Sequence, residues 1–366
     1  MVRPGRRQVL SRGDRAMYVR NAWYCAGWDE AVGIGAHDLV VRQIAGRSIL
    51  LYRTGEGRLV AMEDRCPHRS APLSLGRKEG DAIRCMYHGM LFGPDGACRQ
   101  VPGMDRIPEG AVAATLPVIE KDNWIWVWLG DPARADPDLI CFAIGPSDPD
   151  WVLRTSHLRV DTGYREEIAN LADLSHVSWV HGLTFAGSDD WGYIKPRHRL
   201  NPRGIETRYC VRGVPAPAFA RHLFADDARF DINVHVRMTV PCNFILSFAV
   251  HEAEEGGAPN EPSRGKLLLD TFSSQAVTPR DAGSVDYYFS WGASRATDFP
   301  GIVDLMHRTN MDAFLEDKRI LEGQRARLLQ YPGAPQVDIV HDAGPGRMLW
   351  VLDQLLAEEA AEAGAA

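Results

Sequence analysis

The sequence has no surplus of positive charge, no apolar run long enough to cross a bilayer, no even set of cysteines and no internal repeat. Its 366 residues carry 41 Lys and Arg against 48 Asp and Glu, a formal net charge of -7. That balance leaves no cationic footprint for nucleic acid or for an anionic membrane surface. Without a stretch of about twenty apolar residues, a spanning helix is excluded as well. The opening PGRRQVLSR has paired arginines, but GDRAMYVRNAW follows where a signal needs an apolar segment. Residues 1–16 therefore read as a disordered extension. Seven cysteines in a chain this long point to free thiols and metal ligands rather than a disulfide framework, and to the cytoplasm as the compartment.

What is present is a chain long enough for two domains. DLVVRQIAGRSILLYRTGEGRLVAM alternates apolar and β-branched stretches with Gly-containing breaks, the pattern of an antiparallel meander. NWIWVWLGDPARADPD closes that region with a period-2 aromatic strand and a Pro- and Asp-rich stretch. The expected division is a first domain over 17–135, a second over 150–356 and a flexible tail over 357–366. The second opens on a helical window, YREEIANLADLSHVSWVHG, continues in strands such as INVHVRMTVPCNFILSFAV, and ends in a helix from Asp304 to about Gln330. HEAEEGGAPNEPSRG between strands reads as a solvated hairpin loop.

The first domain contains two short arms, Cys66-Pro67-His68 and Cys85-Met86-Tyr87-His88, with sixteen residues between them. Each arm pairs one thiolate with one imidazole. Structural zinc uses the same four groups, but commonly with both cysteines in one arm and both histidines in the other. The interleaved order suits a [2Fe–2S] cluster in which Cys66 and Cys85 hold one iron and His68 and His88 the other. Neutral imidazoles in place of two thiolates raise such a cluster to roughly -150 to +300 mV, within reach of a low-potential ferredoxin.

With these arms, the chain resembles the Rieske-type oxygenases. The spacing C-x-H, sixteen residues, C-x-x-H matches that family's cluster motif; YHGMLFGPDGACRQVPG, MYVRNAWYCAGW and VWLGDP resemble its neighbouring segments. Met90 stands where many members carry an aromatic residue. The resemblance implies an α+β fold: a small antiparallel β domain carrying the cluster, then a catalytic domain with an antiparallel sheet wrapped around helices.

In NLADLSHVSWVHG, His176 and His181 are five residues apart, too far around an ideal helix to share one ion. They meet only if the helix bulges or ends, and Gly182 suits an ending. In NMDAFLEDKRILEGQ, Asp317 lies three residues after Phe314 and four before Leu321, inside an apolar stripe, where an ionised carboxylate needs a cation or hydrogen bonds. From the residues alone a buried salt bridge explains Asp317 as well as a metal does, and Glu316 and Lys318 are expected to face water. The resemblance implies that His176, His181 and Asp317 hold a mononuclear Fe(II) and that Asp173 bridges a cluster histidine to His176. Asn170 matches the pattern of the demethylase-like members. Further implied are a homotrimer and a ferredoxin or ferredoxin reductase delivering electrons from NAD(P)H. The activity implied is oxidative O-demethylation or N-dealkylation of an aromatic compound, vanillate demethylase being representative of the group. Ring hydroxylation, an electron carrier and a sensing protein on the same scaffold are the alternatives.

Overall fold

The computed structural model describes residues 17–365 apart from 36, 187, 242, 259, 260 and 298; the extension expected over 1–16 lies outside the described residues. The chain divides into two compact units. The first comprises residues up to Ile140 together with Pro279–Ala282, and the second is the remainder.

The first unit is built from β1 (Trp23–Trp28), β2 (Val40–Ile44), β3 (Arg47–Arg53), β4 (Leu59–Glu63), β5 (Arg77–Glu79), β6 (Ala82–Arg84), β7 (Leu91–Phe92), β8 (Cys98–Gln100), β9 (Thr115–Leu116), β10 (Val118–Lys121) and β11 (Trp124–Trp128). They form three antiparallel sheets, in the orders β1-β11-β10, β2-β3-β4-β9 and β5-β6-β7-β8. The aromatic strand β11 is central in its sheet and buried along its whole length. Its alternation therefore does not separate a wet face from a dry one. One cluster arm follows β4, and the other joins β6 to β7. Behind both lies a core of Leu50, Met62, Leu73, Ile83, Met90 and Phe92.

The second unit starts with β12 (Trp151–Val160), then α1 (Tyr164–Ala172) and α2 (Val177–Val180). The strands β13 (Arg197–Asn201), β14 (Gly204–Val214), β15 (Phe230–Thr239), β16 (Asn243–Glu252), β17 (Leu267–Asp281) and β18 (Ser284–Ser294) follow, then α3 (Ile302–Gln330) and α4 (Ala343–Ala365). One antiparallel sheet runs β12-β18-β17-β16-β15-β14-β13. The order has a simple cause. The chain leaves one edge at β12, crosses to the other through the helical segment, and meanders back until β18 pairs with β12. The crossing segment therefore carries its histidines over the sheet, while α3 packs on β12 and β18.

α3 buries Val303, Met306, Asn310, Ala313, Phe314, Asp317 and Leu321, spacings of three and four residues that form one stripe. One element differs from the sequence reading: the helical window breaks at Asp173, whose backbone is extended (φ -118°, ψ 102°). The tail from 357, read as a fraying helix or disorder, continues α4 as far as Ala365.

Candidate functional site

The two cluster arms are the same turn used twice. Cys66 N–H donates to the Ala71 carbonyl (2.8 Å) and Ser70 N–H to the Cys66 carbonyl (2.9 Å). Cys85 N–H donates to Met90 (2.8 Å) and Gly89 N–H to Cys85 (2.9 Å). In each, the residue four after the cysteine turns left-handed, Ser70 at φ 57° and Gly89 at φ 75°. The turns bring the Cys66 and Cys85 thiols together, 2 % and 1 % exposed. His68 and His88 lie outside them with ring centroids 4.6 Å apart. Burial, together with the neighbouring Cys85 thiol and against the N–H groups of His68 and Arg69, pushes the Cys66 thiol up to about 11. Two buried thiols side by side ionise readily only when a metal takes the charge. The donors fit a cluster.

In the second unit, Asp173 separates α1 from α2. Its carboxylate Oδ1 accepts Ser175 N–H (2.8 Å), capping the next turn, and its main-chain carbonyl takes His176 Nδ1. One turn later His181 ends α2 in a non-helical conformation (φ -108°, ψ 26°). A π turn, Gly182–Ala186, follows, with the His181 carbonyl accepting from Thr184, Phe185 and Ala186. The helix thus ends where the five-residue spacing requires, by a π turn and without a left-handed glycine.

The result is a convergence of His176, His181 and Asp317, one donor atom of each lying within 4.8 Å of the others. His176 Nε2 is 3.6 Å from Asp317 Oδ1 and His181 Nε2 is 3.1 Å from Oδ2. His181 Nδ1 meets Glu316 Oε2 at 2.9 Å, and Thr184 Oγ1 donates to the same oxygen (2.9 Å). Both rings are thus held through Nδ1, which leaves each Nε2 facing Asp317 and able to turn a lone pair to a cation among the three. A first-row metal about 2.1 Å from each donor needs neighbours on one face roughly 3 Å apart, and two of the contacts are close to that.

Electrostatics agree with this. Burial lowers the His176 pKa against the pull of Asp317. For His181 burial acts the same way, but the Asp317 and Glu316 carboxylates outweigh it and the net direction is up. Asn170 Nδ2 donates to Asp317 Oδ1 (3.2 Å) and fixes the carboxylate from the α1 side.

Two residues escaped the sequence reading. Glu316, expected to face water, instead reaches the His181 ring, because the π turn wraps back toward it. No signal in the sequence announces this. Glu167, 1 % exposed on α1, is raised to about 8 by burial and by the nearby Asp317 charge; its i, i+3 spacing to Asn170 was the available clue. Lys318 caps the Arg159 carbonyl (2.8 Å).

Beside the three residues lies a cavity of about 90 Å³ walled by aromatic side chains, among them Phe185, Phe219, Phe248 and Phe314. A benzene-sized void is roughly 150 Å³, so an aromatic ring enters only as these side chains move aside.

Residues 22–116 match the Rieske [2Fe-2S] domain, and residues 160–358, more than half of the chain, match the vanillate O-demethylase oxygenase C-terminal domain. The chain belongs to the Rieske oxygenases. It is 33 % identical over 347 residues, 94 % of this chain and 98 % of the relative, to the iron-sulfur subunit of the toluene-4-sulfonate monooxygenase system of Comamonas testosteroni. It is 32 % identical over 359 residues, 96 % of this chain and 98 % of the relative, to the vanillate O-demethylase oxygenase subunit of a Pseudomonas species. Among solved structures, dicamba monooxygenase bound to 3,6-dichlorosalicylic acid superposes with a TM-score of 0.83 at 27 % identity, covering 94 % of this chain and 99 % of that one. The oxygenase is thus the terminal component of a Rieske system, with a [2Fe–2S] cluster and a non-haem iron as its cofactors. Among the described residues no helix is long and apolar enough to cross a membrane.

Proposed function

We propose that the oxygenase removes an alkyl group from a substituted aromatic compound, by O-demethylation or N-dealkylation, in the cytoplasm. Cys66, His68, Cys85 and His88 hold the cluster, and His176, His181 and Asp317 the iron. The observation that carries this is the convergence of two imidazoles and one carboxylate on the wall of a largely apolar cavity lined in part by aromatic side chains. When bound, the cluster supplies single electrons and the three-ligand iron supplies open positions for dioxygen. For an aryl methyl ether the balance is one ether, one O₂, two electrons and two protons giving a phenol, formaldehyde and water.

The chain's own residues make that balance attainable. The Asp173 carbonyl and the Glu316 carboxylate fix the ring orientations, as outer partners of metal-bound histidines do. Asn170 steadies Asp317, and the aromatic walls keep bulk water from the reacting centre. Electrons come from NAD(P)H through a ferredoxin, a reductase or both, a reading supported by relatives described as subunits of monooxygenase and demethylase systems. We further propose a head-to-tail homotrimer in which Asp173 links a partner's cluster histidine to His176.

The test supplies a surrogate reductase, NADH and a panel of methoxylated and N-alkylated aromatics, and measures aldehyde against oxygen consumed. One aldehyde per O₂ is expected. A hydroxylated ring with the alkyl group retained would establish ring hydroxylation instead.

A further inference from the structure

At about 90 Å³ the iron cavity falls short of a benzene-sized void of roughly 150 Å³, so part of its wall moves when an aromatic ring enters. Most of that wall is fixed. Val234, Phe244, Phe248 and Trp291 stand on β15, β16 and β18, strands paired on both sides within the seven-stranded sheet, and Phe314 belongs to the buried stripe of α3. Phe219 is anchored differently. It lies on the short 3₁₀ turn Ala218–Leu223, in the 215–229 link between β14 and β15. In that link Ala220 N–H donates to the Pro217 carbonyl (2.9 Å), Phe224 to Arg221 (3.3 Å) and Ala228 to Ala225 (3.1 Å), each bond spanning three residues. Turns closed by such local bonds open at lower cost than strands paired on two sides. The Phe219 ring itself rests edge-on against Trp291, centroids 4.7 Å apart.

Among the described residues, Phe219 alone lines both the iron cavity and a surface cleft of about 610 Å³. The cleft is bounded by Leu183 and Thr184 of the π turn, Arg221 and His222 of the 3₁₀ turn, and Leu305 and Thr309 of α3. Leu183 is 94 % exposed there. One phenyl ring thus separates the two spaces, and its swing frees a space the size of the ring that has to enter. A second cavity, about 520 Å³, adjoins the iron cavity behind a thicker wall of Leu171, Leu174, Trp191 and Tyr209. Those rings interlock: Trp191 meets Tyr209 edge-on (6.0 Å) and stacks on Phe248 (5.8 Å, 11°). Asp173 lines that second cavity, and the proposed trimer sets a neighbour's cluster against Asp173. The cleft beside Phe219 leaves the substrate a way in that the electron path does not use.

We infer that the aromatic substrate enters the iron cavity from this cleft, between the π turn and the Ala218–Leu223 turn, and that the Phe219 ring is the gate and sets the largest ring system admitted. This rests on the dealkylase reading for the aromatic character of the substrate, and adds its route and its size limit. Phe219 acts before the reaction, on entry.

The experiment uses the holoenzyme, with cluster and ferrous iron, and two aryl ethers of different length, 4-methoxytoluene and 4-methoxybiphenyl. Association rates come from stopped-flow tryptophan emission, and turnover from formaldehyde. In the wild type the biphenyl ether should enter at least about tenfold more slowly than the toluene ether. Phe219→Ala should bring the two rates within about threefold and Phe219→Leu should fall between, with cluster absorbance and iron content confirming that each folds. Two surface variants test the route without touching the core. Leu183→Cys in the cleft, alkylated with a bulky maleimide, should slow entry of the toluene ether at least about fivefold, whereas Lys195→Cys in the second cavity, treated alike, should leave it within about twofold of similarly treated wild type. A size preference unchanged in both Phe219 variants, slowing by the Lys195→Cys label equal to or greater than that by the Leu183→Cys label, or failure of both ethers to bind the wild type overturns the inference. The expected rates without formaldehyde would count against the dealkylase reading alone.

Discussion

Asp317 is the one charged residue among the buried positions of α3. A carboxylate between apolar neighbours needs counter-charge or hydrogen bonds, and Asn170 and the two histidines answer that need. Asp317→Ala should therefore abolish mononuclear iron binding and turnover while the cluster keeps its visible and EPR spectra. Iron content and aldehyde release surviving the change would mean that another group is the third ligand. Glu167 offers a pH test of the same neighbourhood. Its carboxyl is raised from 4.5 to about 8, so between those values the folded state holds a proton that the unfolded chain releases. Stability of the metal-depleted protein should fall as pH rises through that window, by up to about 1.4 kcal/mol per unit. Glu167→Gln should flatten that slope, as read by thermal unfolding at pH 5.5 and 7.5; an unchanged slope would place the titration elsewhere.

The two cluster arms, alike as turns, differ in what occupies their left-handed position. A Cβ at Gly89 would lie 2.8 Å from Pro102 Cγ, on a backbone at φ 75°. Gly89→Ala should therefore lose about 1–3 kcal/mol and shed its cluster on heating before the wild type does. Ser70→Gly in the companion arm should stay within about 1 kcal/mol. Following the cluster absorbance through a melt compares them, and equal losses would refute the asymmetry. The elements also show where pattern reading works. The α3 stripe was legible because 3.6-residue periodicity survives in sequence. The break at Asp173 was not, because a helix and a capped turn have similar local composition until the Asp173 carboxylate finds the Ser175 N–H.

For the whole molecule, the proposed trimer makes each iron depend on a neighbour's cluster, a heterologous contact closed by three-fold rotation. Asp173→Asn retains the oxygen that caps Ser175 but removes the charge that strengthens a bond to imidazole. Both metal sites should stay filled while turnover nearly vanishes and the cluster remains reducible. Mixing His88→Ala with His176→Ala subunits should restore partial activity, since an intact cluster can then serve an intact iron next door. Mixtures that form trimers and remain inactive would rule out transfer between subunits.

The sequence by itself determined the donor types, their spacing and the α+β class. The proposed cluster ligands lie within one short stretch, Cys66 to His88, and each arm is shaped by its own local turn. Tertiary structure alone decided the surroundings of the iron site. Glu316 reaches His181 only because a π turn folds back on α3, and Glu167 meets the charge of Asp317 across 150 residues of chain. Such contacts depend on sheet order and helix packing, and these are set by burial summed over the whole second unit, which no local window of sequence contains.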